Sequence, residues 1–285
     1  MQRASRHLLT ATRALAQQAQ VAGAGRGAGP SLEAGVQALW RHYATEPSEL
    51  KKTVLHDLHV QLGGKMVDFA GWSMPIQYKD SIMDATVHCR THASLFDVSH
   101  MCGFTLKGKD TIPFFESLVV GDIAGLENGT GCLSLYTNER GGVIDDTVVI
   151  KVSEDELYVV VNAGCRDKDL AHLNKHLSEW KAQGKQVAMT VHEDRSLLAL
   201  QGPAAAEALQ ALTQADLSKQ YFGGFNTFEA AGIPIWATRT GYTGEDGFEI
   251  SVHNSKAEAL TQKLMENPRV RLAGLRPWDS PRLEV

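Results

Sequence analysis

The sequence predicts an α+β protein built on antiparallel sheets. Runs of alternating apolar residues are mixed with helical stripes and do not follow a regular βαβ repeat. A glycine-containing hairpin signal over residues 138–142 joins two of the strand runs. The 285 residues, 43% of them hydrophobic and 21% charged, are enough to bury a sizeable core. No linker divides the chain after Ala44, so two subdomains would share an interface and intertwine.

The elements can be placed in order along the chain. The first clear helix is predicted over residues 79–93, where Ile82 and Cys89 belong to one apolar stripe. A β-hairpin is predicted over residues 133–152, with its turn at residues 138–142. Further strands are predicted through 104–106, 157–161, 187–191 and 197–200, and further helices over 114–119, 170–180, 203–212 and 255–267.

Residues that start or stop helices mark three of these boundaries. Gly184 can adopt the positive φ that ends a helix. Pro203 is suited to the first helical position, where its missing N–H costs nothing. Ser255 and Glu258 have the spacing of a capping box at the start of the last helix.

The first 43 residues differ in composition from the rest and are predicted to be a mitochondrial transit peptide. They contain five arginines against one acidic residue, Glu33. The segment RHYAT at residues 41–45 is typical of a matrix-protease site, which places the mature start near Ala44. The alternative is a low-complexity tail, because residues 23–29 are nearly all glycine and alanine. The transit-peptide hypothesis predicts a protein of the mitochondrial matrix.

Charge and cysteine usage exclude several classes of protein. The formal net charge is −5, and the basic residues are scattered among acids, so nucleic acid is not expected as a partner. No apolar run is long enough for a membrane helix. The four cysteines form no Cys-x-x-Cys pair. His56 with His59, and His88 with His92, lack the cysteine or acidic partners of a zinc site, so no metal is predicted.

Two adjacent carboxylates, Asp145 and Asp146, follow the glycines of the predicted hairpin turn. Because side chains alternate along a strand, these acids would point to opposite faces of the sheet. One of them could therefore face a site and act as a general base or stabilise a cation. The alternative is an ordinary turn with two solvated acids.

A second candidate is the loop GYTGEDGFE at residues 241–249, which combines glycines, an aromatic ring and carboxylates. Tyr242 offers a flat face to a ring, and Glu249 could accept two hydrogen bonds from an amidine-like edge such as that of a pterin. A plain hairpin turn is the alternative. The aromatic segment 69–78 could line an apolar pocket or simply pack in the core.

Five segments together resemble the aminomethyltransferase family, the tetrahydrofolate-dependent T-proteins of the glycine cleavage system, in their plant and algal mitochondrial form. They lie in one order, which is more specific than any single motif. The segments are GGKMVDFAGWSMP (63–75), SLFDVSHM (94–101), NAGC (162–165), LQGP (200–203) and GYTGEDG (241–247).

The resemblance implies a reaction, its substrate and its partner. An aminomethyl group on the lipoyl arm of H-protein would be transferred to tetrahydrofolate, giving 5,10-methylenetetrahydrofolate and ammonia. Asp146 matches the family's catalytic aspartate, while Asn162, Tyr242 and Glu249 match folate-contacting positions. Leu133 and Cys165 would lie along the pocket wall. A monomer without a metal is implied.

The resemblance also implies intertwined subdomains, and a C-terminal β-barrel that this chain, ending at Val285, is expected to lack. The family has an arginine where this chain has Trp278, which cannot supply a forked charged donor. Arg276, two positions earlier, is the candidate replacement. Two alternatives to an active enzyme are an inactive or folate-binding-only fragment and an iron-sulfur assembly factor of the same fold. The motif Lys-Gly-Cys-Tyr-x-Gly-Gln-Glu typical of that factor is not found in the sequence.

Overall fold

The computed structural model describes residues 49–276. The predicted transit peptide and Trp278 lie outside the described residues. The helices are α1 (His56–Gln61), α2 (Ile82–Thr91), α3 (Thr111–Glu116), α4 (Arg166–Ala182), α5 (Ala205–Gln210) and α6 (Asn254–Met265), with 3₁₀ turns at Ala163–Cys165 and Leu217–Lys219. The strands are β1 (Met66–Phe69), β2 (Trp72–Pro75), β3 (Ala93–Asp97), β4 (Cys102–Lys107), β5 (Thr130–Thr137), β6 (Val143–Ser153), β7 (Glu156–Val161), β8 (Ala188–Val191), β9 (Arg195–Gln201), β10 (Phe225–Ala230), β11 (Ile233–Thr238), β12 (Gly247–His253) and β13 (Val270–Leu272).

Two large sheets and one hairpin organise the described residues. The six-stranded sheet has the order β10-β11-β12-β9-β3-β13, and the five-stranded sheet has the order β5-β6-β7-β4-β8. Every pairing is antiparallel except that of β13 with β3. The strands of the five-stranded sheet lie in sequence between β3 and β9, which are neighbours in the other sheet. The predicted α+β class is therefore confirmed, and the strands of one sheet are inserted in sequence between two strands of the other.

The apolar residues form clusters on both faces of the five-stranded sheet. β7 is buried over almost its whole length, as expected for a strand covered on two sides. Leu157, Val159 and Val161 pack beneath helices α3 and α4, whereas Tyr158 and Val160 point the other way. On that side they pack against Phe96 and Ala199 of the six-stranded sheet, so this cluster connects the two sheets. A separate cluster lies between the six-stranded sheet and helices α5 and α6.

Local signals explain some of the helix boundaries. Ser81 caps α2 by accepting a hydrogen bond from the backbone N–H of Asp84 at 3.0 Å. Gly184 has φ +76° and follows α4, as predicted. Two expectations were wrong. Pro203 lies two residues before the start of α5, and the capping box at Ser255 is not formed.

The last helix begins one residue earlier than predicted because β12 runs directly into it. His253 is the cap residue, and its Nδ1 accepts the backbone N–H of Ser255 at 3.3 Å. Ser255 therefore lies inside the first turn, and Glu258 accepts a hydrogen bond from Gln262 instead. The helices predicted over 114–119 and 203–212 are both shorter at their C-terminal ends.

The predicted hairpin is formed by β5 and β6 and contains a β-bulge. Leu135 pairs with Asp146 and Tyr136 with Asp145, but Thr137 pairs with Val143. Ile144 is therefore an extra residue on β6, directly before the two acids. Bulges of this kind commonly lie beside functional sites, because they change the direction of neighbouring side chains.

Candidate functional site

The cavity that holds the candidate residues has a volume of about 780 Å³ and is lined from both large sheets. Such a volume is typical of sites for small organic ligands. The five-stranded sheet contributes Leu133 and Asp146, and the six-stranded sheet contributes Glu249. The other lining residues are Phe69, Val98, His100, Met101, Gly131, Cys132, Val148, Asn162, Ala163, Phe222, Gly223, Thr238, Thr240, Gly241, Tyr242 and Leu275.

Asp146 and Asn162 form the polar group on one wall. Asn162 follows β7 immediately, and β7 pairs with β6, which carries the acid. The Nδ2 of Asn162 donates to Asp146 Oδ1 at 3.0 Å. The same nitrogen lies 3.3 and 3.2 Å from the two carboxylate oxygens of Asp145. One amide therefore bridges the adjacent acids.

The two acids occupy opposite faces of β6, as the strand period predicts. Asp146 is exposed and lines the cavity. Asp145 is half-buried, is not among the cavity-lining residues, and faces Asp169 of α4. The strand therefore directs Asp146 toward the cavity and Asp145 toward helix α4.

Glu249 lies on another wall, in the middle of the six-stranded sheet. Its neighbours across the sheet are Thr238 on β11 and Ala199 on β9. Burial raises the pKa of the Glu249 carboxyl to about 7. No cation among the described residues offsets this shift, so hydrogen bonds from a ligand could stabilise the ionised carboxylate.

The loop at residues 239–247 is fixed by buried polar contacts. Gln201 is fully buried and donates to the carbonyl of Thr240 at 3.0 Å, while its Oε1 accepts the Thr243 hydroxyl at 2.9 Å. A Cβ at Gly241 would lie 1.8 Å from that Oε1, so only glycine allows this approach. The loop conformation places Tyr242 at the cavity edge.

The apolar rim of the cavity is unusually open to solvent. Leu133 is 68% exposed and Phe222 is 80% exposed, although both line the cavity. Phe222 was not predicted, because the aromatic pair Tyr221–Phe222 between two elements gives no periodic pattern. Phe69, from the aromatic segment that was predicted as pocket or core, does line the cavity.

His100 also lines the cavity, although it was not predicted as a site residue. It is almost fully buried, packs edge-on against Phe69, and its Nδ1 receives or donates no hydrogen bond among residues 49–276. Burial lowers the pKa of His100, although the Asp97 carboxylate opposes that shift. His100 lines both the large cavity and a smaller one of about 120 Å³.

Two predicted site residues lie elsewhere. Cys165 is absent from the cavity lining, so its predicted place on the pocket wall is not reproduced. Its thiol lies near Lys168 and Asp145, at the start of α4, because the 3₁₀ turn after Asn162 directs it away from the cavity. Arg276 is exposed, does not line the cavity, and donates its backbone N–H to Ile76 at 3.2 Å.

The histidines of the two pairs noted in the sequence make hydrogen-bond and stacking contacts. His59 Nε2 lies 2.8 Å from a carboxylate oxygen of Asp97, and His88 stacks on His92 at 4.8 Å. Within residues 49–276, no group of three His, Cys, Asp or Glu side chains is arranged to hold a metal ion. In that same part of the chain no helix is both long and apolar enough to cross a membrane.

Comparisons with known proteins agree on one family. The model of the GCVT N-terminal domain matches residues 55–285. The mitochondrial aminomethyltransferase of Solanum tuberosum is 59% identical over 89% of this chain, and that of Homo sapiens is 49% identical over 89%. The crystal structure of the glycine cleavage system aminomethyltransferase T from Bartonella henselae has a TM-score of 0.75 and 38% identity over 82% of this chain.

The match covers only part of each relative. The chain spans 63% of the Solanum tuberosum and Homo sapiens proteins and 62% of the Bartonella henselae chain. The mitochondrial names of the plant and human relatives confirm the predicted mitochondrial location. With its sequence matched from residue 55 onward and its fold shared with a T-protein, the chain belongs to the GCVT family, that of the aminomethyltransferases of the glycine cleavage system.

Proposed function

We propose that this chain binds tetrahydrofolate in the large cavity and transfers to it an aminomethyl group carried by the lipoyl arm of H-protein. The products would be 5,10-methylenetetrahydrofolate, ammonia and the dihydrolipoyl arm. The observation that carries the proposal is the meeting of Asp146, Asn162 and Glu249 in one cavity of about 780 Å³. The reaction is inferred from the family, and the two carboxylates and the amide are suited to binding the folate and stabilising positive charge.

Folate recognition is assigned to the wall around Glu249. An ionised carboxylate can accept two parallel hydrogen bonds from a 2-amino group and an adjacent ring N–H of a pterin. The apolar surroundings strengthen those bonds once water is displaced. Tyr242 would cover the ring from the loop at the cavity edge, and Leu133 would contact it from β5.

The chemistry is assigned to Asp146. During transfer the methylene carbon loses its bonds to nitrogen and sulfur and gains bonds to N5 and N10 of the folate. Positive charge develops on the carbon and then on the attacking nitrogen, and a carboxylate nearby stabilises it or accepts the proton that nitrogen gives up. Asn162 Nδ2, at 3.0 Å, holds the Asp146 carboxylate in place.

The partners follow from the same proposal. The protein would act as a monomer on lipoylated H-protein, with no metal and no nucleic acid. A second candidate is folate binding without transfer. One observation favours it: the rim residues Leu133 and Phe222 line the cavity but are exposed to solvent. Binding and transfer therefore have to be measured separately.

The first experiment is calorimetric titration of 5-methyltetrahydrofolate into the purified chain after circular dichroism has established folding. Micromolar binding that is weakened by Tyr242→Ala supports the cavity assignment. Tyr221→Ala is the matched control, because Tyr221 is 78% exposed and does not line the cavity. Absence of binding by the folded chain would refute the proposal.

A single-turnover assay with aminomethyl-loaded H-protein then separates the two candidates. Ammonia release that requires tetrahydrofolate supports the transferase. Folate binding without ammonia release supports a folate-binding protein instead.

A further inference from the structure

Asp169, in the first turn of α4, is a buried acid that the proposed mechanism does not use. Its side chain is 1% exposed, and neither carboxylate oxygen receives a hydrogen bond from residues 49–276. A buried carboxylate without a donor is rare, because the loss of hydration is not compensated. Its occurrence here calls for a proton or another donor at that position.

Another acid faces it. The side chain of Asp145, on β6, interacts with the Asp169 carboxyl where β6 packs against α4. Two ionised carboxylates can only accept hydrogen bonds, so a contact between them needs one proton. Burial, followed by the contact with Asp145, raises the pKa of Asp169 to about 7.

Acids near the pair favour the protonated form, whereas one lysine opposes it. The ammonium group of Lys168 interacts with the pair. It also donates a hydrogen bond to the carbonyl of Ile144 and interacts with the thiol of Cys165. The other titratable groups that interact with the pair are Asp146 on β6, Tyr136 on β5 and Cys102 on β4. On α4, His172 packs against Tyr136 and Arg166 interacts with Cys102. Tyr136 Oη and His172 Nε2 are themselves without hydrogen-bond partners among residues 49–276.

The pair is connected to the cavity through Asn162. Its Nδ2 lies 3.2 Å from one oxygen of Asp145 and 3.0 Å from Oδ1 of Asp146. Any movement of Asp145 therefore changes the direction of the amide that holds Asp146. We infer that Asp169 is a positioning residue: one proton shared with Asp145 fixes the Asn162 amide against Asp146. Its effect on turnover rests on the proposed function, whereas the shared proton does not.

Loss of the proton has a defined consequence. Two adjacent charges in a buried site repel each other, so Asp145 moves away and Asn162 loses one of its anchors. Asp169→Asn preserves the contact at every pH, because an amide donates to Asp145 as the protonated acid does. Asp169→Ala removes it at every pH.

The first test measures the proton directly. Infrared difference spectra of the intact chain between pH 5.5 and 8.5 should show protonated carboxyl absorption from Asp169 and Glu249 that disappears near pH 7, and Asp169→Asn should lose the part that belongs to Asp169. Asp167→Asn is the matched control, because Asp167 lies exposed in the same helical turn. A spectrum of Asp169→Asn that equals that of the unchanged protein would overturn the inference, whatever the activity.

The second test measures positioning. We expect Asp169→Ala to lower kcat by about ten- to a hundredfold, as misplacement of a reacting group commonly does. Asp169→Asn should restore most of that loss and remove the decline of kcat above pH 7. Equal loss in both variants, with circular dichroism unchanged, contradicts the role. If the unchanged protein shows no transfer at all, the proposed function fails, but the infrared result still decides the shared proton.

Discussion

The guanidinium of Arg239 donates two hydrogen bonds to the carboxylate of Asp246, from Nε at 2.8 Å and from Nη2 at 2.6 Å. Its remaining nitrogen donates to the carbonyls of Leu217 and Gln220, at 3.1 and 2.7 Å. One side chain thus joins the two ends of the loop that carries Tyr242 to the segment before β10. The loop at the cavity edge is therefore held from outside the cavity.

We expect Arg239→Lys to loosen this loop. Lysine keeps the charge but cannot form the fork, so hydrogen bonds of a charged group worth about 1.5–3 kcal/mol are lost. Thermal melting should show the lower stability, and titration should show weaker binding of 5-methyltetrahydrofolate. Lys263→Arg, in the exposed pair with Glu266, is the control and should change neither.

Asp146→Asn separates chemistry from binding. The amide keeps the shape of the side chain but neither accepts a proton nor stabilises a cation, so kcat should fall by about 10²–10⁴-fold. Folate affinity should change by only a few-fold, because Glu249 and Tyr242 remain. Single-turnover rates and calorimetry give the two numbers, with exposed Asp155→Asn as control. A parallel fall of rate and affinity would count against a catalytic role for Asp146.

Glu249 should give a characteristic dependence of stability on pH. The folded protein holds its proton up to about pH 7, whereas the ordinary pKa is 4.5. Because the folded state then binds more protons than the unfolded state, this group makes stability fall as pH rises between those values. Glu249→Gln lacks that slope and should melt at a higher temperature than the unchanged protein above pH 7. Exposed Glu229→Gln, which should leave the slope intact, is the control.

Folate binding should also release a proton near pH 6. The bound pterin requires the ionised form of Glu249, so affinity should rise as pH increases from 5.5 to 7.5. Calorimetry in two buffers of different ionisation enthalpy measures the protons released. Glu249→Gln should bind weakly and release none. Identical proton release by the variant would show that another group is responsible.

Asp97 should be required for stability rather than for chemistry. It accepts hydrogen bonds from His59 at 2.8 Å and Thr53 at 2.7 Å, and all of its side chain is buried. Although burial alone would raise it, these bonds and the His59 charge hold the pKa of Asp97 below its usual range. Its contribution is therefore complete above the ordinary aspartate pKa and is lost as pH falls further.

Asp97→Asn breaks this pair and should lower the free energy of unfolding by about 3–5 kcal/mol. Urea denaturation at pH 7 measures the loss, and the difference from the unchanged protein should shrink in acid. Asp57→Asn is the matched control, because Asp57 touches His56 but its side chain is 93% exposed. A loss below 1 kcal/mol for Asp97→Asn would contradict this account.

Gly241→Ala should damage both the fold and the cavity. The new methyl group would lie 1.8 Å from Gln201 Oε1, so the buried amide must leave Thr240 and Thr243. We expect a loss of about 1–3 kcal/mol in stability from overpacking and a clear loss of folate affinity. Gly164→Ala, whose methyl group has no neighbour nearer than 3.9 Å, should be tolerated.

Local patterns predicted most elements because they are read from neighbouring residues. The strands of the β5–β6 hairpin alternate in sequence, and α4 shows its apolar stripe at Leu173 and Leu177. The pattern also placed Asp145 and Asp146 on opposite faces. Sequence alone could not identify which acid faces the cavity, because that depends on which side of β6 the distant helix α4 covers.

Local sequence patterns could not predict the contacts between residues that are far apart in the sequence. Gln201 and Gly241 are in contact although 40 positions separate them in the sequence. Neither a glutamine at the end of a strand nor a glycine in a loop is unusual. Asp169 lies in a helical turn that reads as charged and solvated, yet it is buried against β6. Cys165 was placed on the pocket wall through resemblance alone, and the 3₁₀ turn that displaces it leaves no mark in the sequence.

The bulge at Ile144 separates the part of the hairpin that orients the two acids from the turn. Leu135 pairs with Asp146 on one side of the bulge, and the turn lies on the other side. The carbonyl of the bulged residue is occupied by Lys168, so the irregularity is anchored to α4. Insertions or deletions in the tip at residues 138–142 can therefore accumulate without rotating either carboxylate. The acid that faces the cavity therefore keeps its orientation when the length of the neighbouring turn changes.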